Sequence, residues 1–444
     1  MYGRKEKKME YHEQILSGEY LHDDLTYIEQ TAKFGLPGTL RTGNSVLLCP
    51  GEQMLSRHLL LLGGIGSGKS NCFNHLIRNV RAGLTGQDVL IIFDTKGDYY
   101  DEFYCPGDVV ISNDARATGG AGFDCWNVFN EVMIDDRVEE NVYEIAGTLF
   151  YDKIHNSSQP FFPNAAKDLF AALMLHMIRS EKMAAHHNNK ALRSMLDTFS
   201  PEAMKKILLS YPDLKSMSTY IDDPKSGQTM GVVSELQQAV REILIGNFKQ
   251  KGTLSMRELV RQKGGRVIFI EYDTGIGNLL TPIYKLLVDL AIKEALCRKS
   301  NEGNVYFMLD EFRLLPHLEH IDDGVNFGRS LGAKFAIGIQ NVDQISAAYG
   351  ENLARSILSG FATTFAFRVN DSNSRGYIKD LYGMNLRSAS FLSNITSRGL
   401  VEQIRETTVV EDVDITRLQI GEAIISTLGM PPFRFRFDEF FSSR

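Results

Sequence analysis

The feature that most narrows what this chain can fold into is a glycine-rich octapeptide. Gly63-Gly64-Ile65-Gly66-Ser67-Gly68-Lys69-Ser70 is set between an apolar run at His58–Leu62 and a helical pattern at Lys69–Arg81. Glycine takes backbone angles closed to other residues, so a strand can turn into a helix here within a few residues. Such a turn directs successive N–H groups inward, and the following helix presents its positive end to the same point. The spacing satisfies G-x-x-x-x-G-K-[ST] throughout, the Walker A pattern of a phosphate-binding loop. It predicts that Gly63, Gly64, Ile65, Gly66, Ser67 and Gly68 wrap phosphate oxygens. Lys69 is then expected on the β- and γ-phosphates and the Ser70 hydroxyl on Mg2+. Cys72, in the first turn of the helix, is counted among the nucleotide contacts.

The rest of the chain supplies a matching scaffold. Short runs rich in β-branched and large apolar residues recur at Asp88–Phe93, Arg266–Glu271, Asn304–Leu309, Phe335–Ile339, Thr363–Val369 and, more weakly, Glu422–Ser426. Continuous apolar runs bounded by turn residues suit strands buried on both faces of a parallel sheet. Helical patterns lie between them, among them Pro282–Cys297 with Thr281 as its expected cap. This alternation predicts a doubly wound α/β fold. From about 163 to 263 strand signals nearly vanish, while helix formers dominate at Ala165–Arg179, Ala203–Ser210, Gly231–Ile243 and Ser255–Arg261. The expected organisation is an N-terminal segment (1–40), a first α/β part (41–162), an inserted all-α domain (163–263) and a second α/β part (264–444).

The second chemical signal is Val305-Tyr306-Phe307-Met308-Leu309-Asp310-Glu311, an apolar strand ending in two acids, the Walker B pattern. Asp310 is expected to hold the magnesium and Glu311 to polarise the attacking water. By itself, a strand ending in two solvated acids is common in α/β proteins; the octapeptide upstream makes the catalytic reading the stronger one. Thr95-Lys96-Gly97-Asp98 looks like the [NT]KxD element that selects guanine, but it precedes the Asp310 strand, where that element would follow it. Adenine is therefore the expected base.

Several elements, in order, carry a resemblance to a known family. After the octapeptide come Asp94-Thr95-Lys96-Gly97-Asp98, then Gly107–Arg116 with Trp126-Asn127, then the Asp310-Glu311 strand. Last come Phe335–Gln340 with Gln344 and Tyr349-Gly350. From about Leu55 to Leu428 the chain resembles the TraD/TraG-type conjugative coupling protein ATPases of type IV secretion systems, within the FtsK/HerA-like P-loop superfamily. The usual proline of the Gly107–Arg116 stretch is absent. The resemblance implies a RecA-like P-loop NTPase core, with a mostly parallel sheet flanked by helices plus an inserted all-α domain. It implies an ATPase working as a ring, usually a hexamer, with ATP and Mg2+ at subunit interfaces. DNA would lie in the central pore, bound without regard to base sequence. Gln340 would then sense the γ-phosphate or the attacking water. Arg329 would be the arginine finger offered to a neighbouring subunit, where a guanidinium stabilises charge on the transferred phosphoryl group. Asp94 and Lys96 either line the site or form a structural ion pair.

Composition constrains the setting. With 43% apolar and 23% charged residues the chain has the balance of a folded soluble protein, and a net charge of −7 argues against a generally basic surface. Lys249, Lys251, Arg257, Arg261, Lys263 and Arg266 form a basic stretch at the end of the helical region. They would suit phosphate tracking in a pore, although a solvated face is the simpler account. His186-His187 reads as an exposed helix end. The five cysteines, Cys49, Cys72, Cys105, Cys125 and Cys297, are scattered without metal-binding spacing, as expected in a reducing cytosol. The charged start, Met1–Met9, has no apolar segment behind it, and no run is long enough to span a bilayer. Many coupling proteins begin with transmembrane helices. Here the expectation is a cytoplasmic protein, either held at a membrane through a partner such as a secretion channel or relaxase, or acting on DNA in the cytosol, with a nuclease for partner. A soluble HerA-like DNA-processing or anti-phage motor, and an ATP-binding scaffold that recruits protein substrates, remain open; Glu311 favours a motor.

Overall fold

The computed structural model describes residues 12–24, 35–48, 55–113, 124–299, 302–392, 400–427 and 429–442. Cys49, Asp114, Ala115, Arg116, Leu428 and the Met1–Met9 stretch lie outside these residues. The described strands are β1 (His12–Ser17), β2 (Leu36–Leu40), β3 (Ser45–Leu48), β4 (Leu59–Leu62), β5 (Val89–Asp94), β6 (Val109–Ile111) and β7 (Val267–Glu271). They continue with β8 (Val305–Leu309), β9 (Ala333–Ile339), β10 (Thr363–Phe367), β11 (Met384–Leu392), β12 (Leu400–Thr408), β13 (Glu422–Thr427) and β14 (Phe433–Phe437). Each of the seven apolar runs picked out from the sequence is one of these strands. The chain forms two compact units, one from residues 1–79 and 336–443, the other from residues 80–335. These borders fall elsewhere than at 41, 163 and 264.

In the first unit the strands follow the order β3-β2-β14-β13-β10-β4-β9. β4 runs parallel to both its neighbours, with Leu60 beside Thr364 on one side and Leu62 beside Ile339 on the other. Leu59, Leu60, Leu61 and Leu62 are all fully buried, which is why this run carries no polar alternation. Beyond β10 the pairing turns antiparallel through β13, β14, β2 and β3. A separate antiparallel sheet, β1-β11-β12, belongs to the same unit. Its strands mix polar and exposed apolar residues, among them Leu386 and Ile404, and so give a weak strand signal in the sequence.

In the second unit the order is β8-β5-β7-β6 and every pair is parallel. Between β6 and β7 the described residues form helices and no strand. The main ones are Val138–His155, Phe161–Arg179, Asn189–Thr198, Pro201–Leu209 and Gly227–Ile243, and a shorter helix at Val128–Val132 starts the series. Side-chain caps set several starts: Asn188 accepts from the Ala191 N–H, Ser200 from Ala203 and Ser226 from Thr229. Phe161–Arg179 packs against Val138–His155 and Gly227–Ile243, with the Phe150 and Phe170 rings 5.6 Å apart.

One expected helix start moves. The helix read from Pro282 begins at Gly277 and runs to Leu296, with Pro282 inside it. Thr281 does not cap it; its hydroxyl donates to the Gly277 carbonyl at 3.1 Å. Proline at this position gives up a single early backbone bond, a cost the fourteen buried residues of this helix outweigh.

Candidate functional site

The loop after β4 is built from its backbone outward. The Gly63 N–H donates to the Ile339 carbonyl and the Gly64 N–H to the Arg368 carbonyl, so the two strands beside β4 anchor the loop's first residues. Gly66 and Gly68 have φ of +70° and +108°, angles that need glycine. Space demands glycine as well. A Cβ on Gly63 would lie 2.6 Å from both the Phe367 Cβ and the Ser67 Oγ, and one on Gly68 would lie 2.7 Å from the Gly421 Cα. The Gly421 N–H closes this contact by donating to the Ser67 carbonyl at 2.9 Å.

Lys69, the first residue of its helix, is 9% exposed and bends back over the loop. Its ammonium donates to the Gly63 carbonyl at 2.5 Å and to the Gly64 carbonyl at 3.3 Å. A positive charge is thus held against the first two carbonyls of the loop. Ser67 is 2% exposed, and its hydroxyl oxygen is buried with no hydrogen-bond partner among the described residues. Glycine-only turns, an inward lysine and a buried polar atom without a partner fit a bound polyanion. Ile65 projects outward, 87% exposed, and Ser70 is exposed at the helix start. Cys72 does not join this surface. It is fully buried on the inner face of the helix, where an apolar thiol packs well, and offers no side-chain surface to a ligand.

Gln340 follows directly on β9, next to the strand that leads into Gly63. Its N–H donates to the Gln344 side chain at 3.1 Å, and the Gln344 N–H donates to the Asn341 side chain at 3.0 Å. Two of the motif glutamines therefore brace one turn.

In the second unit, three neighbouring parallel strands end in acids at one sheet edge: β5 in Asp94, β7 in Glu271, and β8 in Leu309 just before Asp310 and Glu311. Asp94 and Glu271 are buried. Burial pushes the Asp94 carboxyl above the usual carboxylate range, against the pull of three N–H groups, from Lys96, Gly97 and Tyr100. Those bonds fold the Asp94–Asp98 loop, with Gly97 at φ +78°, while the Lys96 side chain is exposed. Asp94 is thus an organiser of its own loop. That loop starts a short helix on which Tyr99, 5% exposed, donates its hydroxyl to Asp310 Oδ2 at 2.7 Å. Glu311 accepts from the Arg313 side chain at 2.7 Å. Arg329 is exposed on the turn Gly328–Leu331, beside Phe327, which is 67% exposed.

Half of the basic stretch turns out to be structural. Arg257 is 3% exposed and donates to Glu294, Asp135 and the Glu131 carbonyl. Arg261 pairs with the same two acids, and buried Lys263 donates to the Glu302 carbonyl. Lys249 and Lys251 remain exposed. Under this cluster, Glu131 is 0% exposed and accepts from the Trp126 indole, the Ser255 hydroxyl and the Met256 and Arg257 N–H groups. Burial raises the Glu131 carboxyl and these donors oppose the rise. Nothing near Glu131 in sequence announces it, because apart from Trp126 its donors lie more than a hundred residues on. His187 is likewise more than a helix end: its ring stacks on Phe129 and bonds to the Met177 carbonyl.

A strand that passes through a glycine turn into a helix, on a mostly parallel sheet flanked by helices, defines a RecA-like P-loop core. Residues 50–428 match the model of the type IV secretion-system coupling protein DNA-binding domain, and the chain belongs to that family. It is 22% identical over 375 residues to the coupling protein TraD of Escherichia coli K12, covering 82% of this chain and 49% of TraD. It is 21% identical over 317 residues to the coupling protein VirD4 of Bartonella henselae, covering 67% of this chain and 49% of VirD4. The chain thus spans about half the length of the curated relatives it matches. Among solved structures, the fold matches the bacterial conjugative coupling protein TrwBΔN70 with a TM-score of 0.74 at 16% identity, over 99% of this chain and 96% of that one. TrwB in complex with ADP and Mg2+ matches with a TM-score of 0.73 at 16% identity, over 100% and 98% of the two chains. No described helix is long and apolar enough to cross a membrane.

Proposed function

We propose that this chain is an ATP-hydrolysing motor that assembles as a ring, usually of six, and drives DNA through it for conjugation or type IV secretion. The observation that carries the reading is the loop at 63–70, where glycine-only angles and an inward Lys69 build a seat for a triphosphate. Family membership and the TrwB complex with ADP and Mg2+ support adenine nucleotide and magnesium as the ligands.

In this reading N–H groups of the loop beyond Gly64 grip the phosphates, those of Gly63 and Gly64 being bonded to the neighbouring strands, while Lys69 neutralises the β/γ oxygens and Ser70 and Asp310 would hold the metal. The ion, when bound, supplies charge to the phosphate oxygens as bonds break. Glu311 takes a proton from the attacking water, released for that task by Arg313. Gln340 senses the terminal phosphate, and Arg329, exposed on its turn, acts on a neighbouring subunit's nucleotide. The helical region at 163–263 is read as an inserted domain, with Lys249 and Lys251 as its remaining candidates for phosphate contact. We place the protein in the cytoplasm, with any membrane association supplied by partners of the secretion apparatus.

The test is ATP hydrolysis measured with and without DNA, alongside a mass measurement with nucleotide present. Magnesium-dependent hydrolysis that rises on adding DNA, from a ring-sized particle, is the expected result. Nucleotide binding with a turnover indifferent to DNA would overturn the motor and leave a scaffold.

Tyr99 offers a finer check. Tyr99→Phe keeps the buried ring and removes the hydroxyl that steadies Asp310. Partners behind a metal ligand are worth about tenfold or more in metal affinity. The Mg2+ concentration for half-maximal hydrolysis should therefore rise about tenfold, with thermal stability little changed.

A further inference from the structure

The second unit holds the turn that carries Arg329 from several sides. The inner side of residues 321–331 meets its neighbours at glycine spacing. A Cβ on Gly324 would lie 3.0 Å from the Phe335 ring and 3.1 Å from Ile292, and one on Gly328 would lie 2.9 Å from the Ala333 Cβ. At the end of the turn Gly332 has φ +84°, and a Cβ there would lie 2.3 Å from the Gly303 carbonyl oxygen. The Gly332 carbonyl accepts from the Val305 N–H at 2.9 Å, which ties the turn to the start of β8. The outer side is open. Phe327, Arg329 and Ser330 are exposed, and among the described residues no partner holds the Arg329 guanidinium.

A second arginine is used in the opposite way. Arg298, just past the helix Gly277–Leu296, is half-buried and directs its guanidinium at backbone carbonyls. Its Nη2 donates to the Leu331 carbonyl at 2.8 Å. Longer and weaker contacts of 3.4 Å run from Nε to the Ala295 carbonyl, from Nη1 to that of Glu302 and from Nη2 to that of Gly303. One planar fork thus joins three pieces of chain: the end of the helix, the turn before β8 and the last residue of the Arg329 turn. Among the described residues it bonds to no carboxylate. Burial holds the guanidinium below its ordinary value, against the pull of Glu302, Glu294 and Asp88. A cation drawn out of water to bind carbonyls alone is a poor source of stability. What it supplies is a fixed position for the carbonyls it binds.

We propose that Arg298 is a positioning residue for Arg329: it fixes the carbonyl end of the turn 328–331, so that the exposed guanidinium is aimed before it meets the triphosphate of a neighbouring copy. The inference rests on the reading of Arg329 as a group that acts on another subunit's nucleotide. Leu331 is two residues from Arg329, so a loosened Leu331 carbonyl moves the backbone from which that side chain reaches. A donor aimed at charge that develops on a phosphoryl oxygen works best when nothing has to reorganise at the moment of reaction. Misplacement by about 1 Å, from a residue outside the chemistry, costs up to about 100-fold.

The experiment measures kcat and KM for ATP on the full chain, on Arg329→Ala and on Arg298→Met, which keeps the length of the side chain and removes its donors. Each variant is also mixed with Lys69→Ala chains, whose own loop is disabled and whose arginines are intact. Arg298→Met should lower kcat about 10–100-fold with KM changed by less than about twofold. Mixing should restore its turnover as it restores that of Arg329→Ala. Recovery in trans is the readout that a merely structural role leaves unmoved, since a damaged fold stays damaged beside an intact neighbour. Arg298→Met turning over as the unaltered chain does, with Arg329→Ala slowed, overturns the proposal alone. So does a slowed Arg298→Met that mixing leaves slow while Arg329→Ala recovers. If Arg329→Ala itself turns over normally, or does not recover in the mixture, the reading of Arg329 falls and the proposal with it. Should Arg298→Met not fold, Arg298→Lys decides, because its ammonium keeps a charge and a donor at the site but not the fork. A kcat lowered by about threefold or more and restored by mixing supports the clamp; a kcat unchanged, or lowered and not restored, rejects it.

Discussion

Glu311→Gln should bind nucleotide as the unaltered chain does and hydrolyse it about 10²–10⁴-fold more slowly, the usual worth of a positioned general base. The substitution keeps the side chain's size and one acceptor oxygen but removes the charge that draws a proton from water. Its setting favours a clean test. Glu311 follows a strand whose Val305, Phe307, Met308 and Leu309 are buried, so the position is held by the sheet. What changes locally is the pairing with Arg313, which is half-exposed and of small worth to stability. Binding by calorimetry and turnover by phosphate release separate the two quantities. Turnover in Glu311→Gln equal to that of the unaltered chain would remove the residue from the chemistry.

Glu131→Ala should destabilise the second unit by about 3–5 kcal/mol, the range for stripping one member from a buried charged network. Four donors converge on this carboxylate: an indole N–H, a hydroxyl and two backbone N–H groups at the start of the helix Met256–Gln262. Removing it strands them in a fully buried site, and each stranded donor costs about 1–3 kcal/mol. Arg257, buried beside it, keeps Glu294 and Asp135 as partners, so the loss falls on the helix start and not on that guanidinium. Trp126 is the chain's single tryptophan and is itself one of the donors, so its fluorescence in a urea titration reports on the network directly. A loss under 1 kcal/mol would mean that water or a neighbour replaces the carboxylate.

These two residues mark opposite ends of what could be read in advance. Glu311 stands out because an apolar run ending in two acids is a local pattern, and its partner motif at 63–70 is local too. Glu131 and Tyr99 carry no such mark: each is one polar residue whose meaning comes from a partner far along the chain, 125 residues away for Met256 and 211 for Asp310. The basic stretch misleads for the same reason. Arg257, Arg261 and Lys263 look like a surface charge run until the acids that neutralise them are brought up from distant segments.

The phosphate loop, the seven apolar strands and the family resemblance were legible along the chain alone, because glycine angles and continuous apolar runs act over a few neighbouring residues. Packing settled that Cys72 faces the core, that Tyr99 reaches Asp310, and that Gly421 closes on Gly68 beside a cavity. Those outcomes depend on which distant surfaces compete to be buried together, and spacing along the chain holds no record of that competition.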